Sequence, residues 1–91
     1  MESLGFIEVK GLVTAIEAAD AALKTANVTL VGGNNPGLGL FTVIFQGEIG
    51  AVKMAVDAGA AAAKRIGEVL SVNVIARPEP EIYRMVQEPT L

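Results

Sequence analysis

The hydrophobic period of this chain switches between that of a strand and that of a helix, and the order of those switches constrains its fold more than any single motif. Leu4 to Lys10 alternates: Ile7 and Val9 point one way, Glu8 and Lys10 the other, as in a half-buried strand. Gly11 breaks the pattern. Leu12, Ile16, Ala19, Leu23 and Ala26 then follow helical spacing, with Glu17, Asp20 and Lys24 opposite and Asp20 and Lys24 one turn apart. Asn27 is expected to end this helix, because asparagine tolerates the left-handed C-terminal conformation. Val28 to Val31 is a short β-branched run, read as a second strand. Gly32-Gly33-Asn34-Asn35-Pro36-Gly37 reads as a hairpin loop with Pro36-Gly37 at its corner. Leu40 to Gln46 forms the third strand, with Phe41, Val43 and Phe45 on one face.

Gly47-Glu48 opens a second helix whose stripe is Ile49, Val52, Val56, Ala60, Ala63 and Ile66. Lys53 and Asp57 pair on its outer side, and the small residues Ala58 to Ala63 let another backbone come close. Gly67 is read as the helix stop. Val69 to Ala76 is a fourth strand, with Leu70, Val72 and Val74 inward and Ser71 and Asn73 outward. Arg77-Pro78-Glu79-Pro80 halts it, and Glu81 to Gln87 is expected to form a short terminal helix after Pro80. The order β-α-β-β-α-β predicts an α+β fold, a two-layer sandwich of ferredoxin-like type. Ninety-one residues suffice for one domain, marginal alone and favoured by oligomerisation.

Composition narrows the function. Hydrophobic residues make up 52% of the chain but aromatic residues only 4%, a mix suited to thin, close-packed layers rather than a ring-lined cavity. A formal charge of −3, from 7 basic and 10 acidic side chains, leaves no basic face for nucleic acid or an anionic membrane. Phe6, Phe41, Phe45 and Tyr83 are not interleaved with basic residues on the central strands, so an RNA surface is not expected. No apolar stretch approaches the ~20 residues of a membrane span, and Met1 to Gly5 shows no secretory pattern. A soluble, cytosolic protein is the expectation.

Motif by motif, chemistry fails to assemble. Gly32 and Gly37 have P-loop spacing, but Leu38 and Gly39 stand where lysine and serine or threonine belong. Gly37-Leu38-Gly39 leads into a strand rather than a helix, with Thr42 in place of the third dinucleotide-loop glycine. Without histidine or cysteine there is no hydroxyl–imidazole pair, no thiol and no usual transition-metal ligand set. Glu8, Glu17, Asp20, Glu48 and Asp57 fall on polar faces or caps. No enzyme activity, cofactor or metal is expected. Arg77 is either an ordinary surface arginine or one whose guanidinium reaches carbonyls across an interface. The residues alone leave both open.

Several separate blocks then occur in one order: Leu4-Gly5-Phe6-Ile7-Glu8-Val9-Lys10-Gly11-Leu12, Ala15-Ile16-Glu17-Ala18-Ala19-Asp20, Lys24-Thr25-Ala26-Asn27-Val28, Gly50-Ala51-Val52-Lys53 with Asp57 to Ala63, and Val74-Ile75-Ala76-Arg77-Pro78. From about Leu4 to Pro78 the chain resembles the single-domain hexameric (BMC-H) shell proteins of bacterial microcompartments, particularly those of propanediol and ethanolamine utilisation. The resemblance implies one BMC shell domain over 1–91, core 4–78 and tail 79–91. It implies a cyclic homohexamer with a central pore, tiling into facets with other shell proteins around encapsulated enzymes. Lys24, Asn27 and Arg77 would stand at the hexamer–hexamer edge. Asn35, Pro36, Gly37, Leu38 and Gly39 would line the pore, where small metabolites cross.

The chain departs from the family at three places. Leu38 replaces the small polar residue usual between the pore glycines, Pro36 and the asparagines replace a lysine–isoleucine pair, and Glu79 replaces a frequent histidine. Six leucines would make a narrower, apolar opening. Two other hypotheses share the architecture. A small-molecule-binding regulatory domain would use Gly32–Gly39 as its ligand loop. An acyl-phosphate hydrolase needs an arginine near an anion-binding loop, and none precedes Arg65.

Overall fold

In the computed structural model, which describes residues 2–87, the elements are β1 (Ser3–Lys10), α1 (Leu12–Thr25), β2 (Thr29–Gly37), β3 (Leu40–Gly47), α2 (Ile49–Lys64), β4 (Val69–Ile75) and α3 (Pro80–Gln87). The expected tail is described as far as Gln87; residues 88–91 lie outside the described residues. The four strands form one antiparallel sheet in the order β2-β3-β1-β4, as the β-α-β-β-α-β reading requires. Helices α1 and α2 are the crossovers: α1 carries the chain from β1 over β3 to β2, and α2 carries it from β3 over β1 to β4.

Alternation explains which face is buried. Ile7 stands opposite Val43 and Val9 opposite Phe41, and this face carries α1 and α2. Phe45, Ile7, Val9 and Val52 are fully buried there. Leu4 and Ile44 point to the other face and are buried too. The C-terminal helix covers that side: the Tyr83 hydroxyl donates to the Glu2 carbonyl, and the Val86 carbonyl lies 3.0 Å from where a Cβ on Gly32 would stand. The α+β sandwich therefore has a short third layer. The whole is thin, 33 × 28 × 16 Å.

Helix α1 does not bury the stripe its large residues suggest. Thr14, Ala15, Ala18 and Ala22 are buried, while Leu12, Ile16 and Leu23 are exposed. The buried face is rotated roughly a quarter-turn from the predicted one. The reason is distance: α1 packs directly on α2, and only small side chains allow that approach. Helix α2 follows its predicted stripe at Val52, Val56, Ala60 and Ala63, but Ile66 lies past its end and is exposed. Lys53 and Asp57 make no ion pair; Asp20 and Lys24 do.

Three boundaries also differ from expectation. Ala26, in extended conformation, caps α1, and Asn27 is not left-handed. The Gly67 N–H donates to the Ala63 carbonyl at 2.9 Å to close α2, without a positive φ. Glycine is needed there because a Cβ would collide with the Thr14 side chain. Strand β4 is an edge strand, bulged beside Glu8 and Val9, which leaves Leu70 and Val72 exposed while Val74 reaches the core.

Candidate functional site

The glycine-rich segment is not a loop. Strand β2 runs through Gly32 to Gly37, Gly37 pairs with Leu40, and only Leu38 and Gly39 form the turn. Pro36 therefore lies in the edge strand, where proline removes no interior ladder bond, rather than at the corner. Leu38 has φ 59° and Gly39 φ 76°, the signature of a type I′ hairpin turn. Its first central position suits asparagine or glycine; a leucine there costs about 1–2 kcal/mol. Leu38 is 93% exposed. Two bonds brace the hairpin: the Gly37 N–H donates to Asn35 Oδ1 at 3.1 Å, and the Gly11 N–H donates to the Gly39 carbonyl at 2.7 Å.

The residues expected at an outer edge lie at the other end of the sheet. Ser3, which starts β1, faces Gly47, which ends β3, and its hydroxyl donates to the Ala76 carbonyl at 2.8 Å, one residue before Arg77. The Asn27 carbonyl lies 3.4 Å from the Cβ position of Gly47. Arg77 and Glu48 both line the cleft beside this line of residues. Lys24, in the last turn of α1, is exposed and bridges Asp20 Oδ2 at 2.8 Å. The Asp20 carboxylate, by hydrogen bond and then by charge, holds the Lys24 ammonium above its ordinary pKa. Eight strand residues, about 26 Å, separate this end from the Leu38 turn. Glu48 accepts from the N–H groups of Gly50 (2.9 Å) and Ala51 (3.3 Å), so it acts here as the α2 cap.

The two flanks of the sheet carry surfaces the sequence reading missed. Under α1, beside edge strand β2, a groove is lined by Leu12, Ile16, Ala19, Leu30 and Phe41. Leu12, Ile16 and Leu30 are exposed in it. The opposite flank, along edge strand β4 and the end of α2, exposes Ile66, Leu70 and Val72. The available signal was apolar residues on outer strands of a thin sheet. Such positions read as core until the strand order is known.

Among the described residues no three carboxylates gather closely enough to hold a metal ion, and no helix is long and apolar enough to cross a membrane. The described residues form a thin α+β domain that exposes two apolar flanks. The chain belongs to the BMC domain family, whose model matches residues 3–78. It is 56% identical over 85 residues to the bacterial microcompartment shell protein PduA of Citrobacter freundii, covering 93% of this chain and 91% of that one. It is 55% identical over 82 residues to the shell protein EutM of Escherichia coli, covering 90% and 84% respectively. A crystal structure of a microcompartment protein from Desulfitobacterium hafniense superposes with TM-score 0.85 at 33% identity. All of this chain is matched, against 49% of that one, so it spans about half that protein's length. The role of this family member is structural, in a microcompartment shell, and not enzymatic.

Proposed function

We propose that this protein is a hexameric tile of a microcompartment shell. The observation that carries this reading is that its two apolar flanks differ. One is a groove between α1 and β2, the other a strand edge at β4. A two-fold dimer would join a patch to itself. Two unlike patches on opposite edges of the sheet instead favour head-to-tail contact, which closes into a ring when the rotation per subunit allows.

In this reading the Leu38 turn and its neighbours Asn35, Pro36, Gly37 and Gly39 surround a central pore. Lys24, Asn27 and Arg77 meet their counterparts at the boundary with the next hexamer. The separation of these groups by a full strand length supports the arrangement, since a tile needs one end at its axis and the other at its rim. Hexamers tile into facets that enclose metabolic enzymes and limit metabolite passage, together with other shell proteins. The test is the native mass of the purified protein. A complex of six 9.4 kDa subunits supports the tile, while a stable monomer or dimer removes the shared axis and ends the reading.

A further inference from the structure

Leu38 is the most exposed large apolar side chain among the described residues, and it is the one non-glycine residue there with positive φ. Gly37 and Gly39 on either side also have positive φ, and a Cβ at either would meet nothing within 4 Å. Leu38 thus stands clear of its own subunit, in a backbone conformation that disfavours a branched side chain. Two hydrogen bonds hold the turn in place, but they leave the Leu38 side chain itself 93% exposed. A strained, conspicuous residue of this kind points to a role outside the subunit. The hairpin itself is uncharged, since no residue from Leu30 to Phe41 ionises; the charge beside it is Lys10, which pairs with Leu40 across the sheet.

Resting on the hexameric reading above, we propose that six copies of Leu38 form an apolar collar at the ring axis. The collar passes small uncharged solutes and refuses ions and charged metabolites. The copies supply one another with the apolar neighbours that the single subunit lacks. An ion crossing a hydrophobic constriction must shed hydration without gaining ligands, and a narrow apolar ring also resists wetting. A small uncharged molecule gives up far less. The braced two-residue turn fixes where the leucines project, so selectivity resides in one side chain.

The chain contains no cysteine, so Leu38→Cys introduces one thiol per subunit. Mild oxidation is expected to link neighbouring subunits within complexes of hexameric mass. A mass other than hexameric overturns the parent reading. Hexamers whose thiols stay unlinked overturn the collar alone. The second measurement is potassium conductance of hexamers held in a planar lipid bilayer. Leu38→Ser is expected to raise it about tenfold, and Leu38→Asn, which suits the turn and guards against misfolding, to raise it similarly. Equal conductance in wild type and both variants overturns the proposal.

Discussion

Gly59 of α2 and Ala18 of α1 meet backbone to backbone: a Cβ on Gly59 would stand 2.8 Å from the Ala18 carbonyl oxygen. The same Cβ would stand 2.7 Å from Ile7 Cδ1. Glycine lets the two helices close on each other and on the sheet at one point. The alanine faces of both helices extend that contact in either direction.

Gly59→Ala should therefore destabilise the protein, although the same change in an exposed helix adds up to about 1 kcal/mol. Ile7 can turn aside, but a helix carbonyl cannot. Overpacking outweighs propensity here, for a net loss of about 1–2 kcal/mol. Urea unfolding checks the sign, and a midpoint at or above that of wild type defeats the argument.

Gly67 and Thr14 give a second close pair. Gly67→Ala is expected to cost about 1–3 kcal/mol, because its Cβ collides with the buried Thr14 side chain. The double variant with Thr14→Ala should recover most of that loss. A double-mutant cycle showing simple additivity would mean the two residues do not compete for the same space.

Ile16→Glu on the groove flank and Val72→Lys on the β4 flank should each abolish the oligomer while leaving strand and helix content intact. Both positions are exposed in the subunit, so a charge there costs the fold little and the interface much. Light scattering and circular dichroism on the same samples separate the outcomes. Loss of folding together with assembly would show that these residues serve the core instead.

Lys24→Ala is expected to leave hexamers intact and to weaken their lateral association into sheets, seen by electron microscopy. Normal sheets from the variant remove Lys24 from the edge. The Asp20 partner adds a pH signature. Because the folded-state pKa of Lys24 is raised above 10.5, the pair's contribution is complete below that value and is lost as pH rises through the folded-state pKa. Asp20→Asn should lower the Lys24 titration midpoint, measured by NMR at Nζ. The contribution itself is small, since the pair is exposed and screened by salt.

Much of the fold is legible in the sequence. Ile7 and Val9 alternate with Glu8 and Lys10 because a strand offers two unlike faces, and α2 repeats Val52, Val56, Ala60 and Ala63 because one side of it is buried. Helix α1 misled because hydropathy weighs Leu12, Ile16 and Leu23 above Ala15, Ala18 and Ala22. Close packing weighs them the other way, admitting only the small residues between two helices. The turn misled for a different reason. Gly32 to Gly37 contains the usual turn formers, yet Leu38 took the left-handed position that composition assigns to asparagine or glycine.

By itself the sequence determined the order of elements, their class of sandwich and the absence of a histidine- or cysteine-based site. Those follow from local periodicity and from which side chains exist at all. Only the tertiary structure decided which apolar residues form the core and which form the flanks. It also set the Leu38 turn and the Lys24–Asn27–Arg77 end at opposite limits of one sheet. Residue spacing records the period of a helix or strand. Strand order and helix separation settle what each face meets, because burial depends on neighbours brought together from distant parts of the chain.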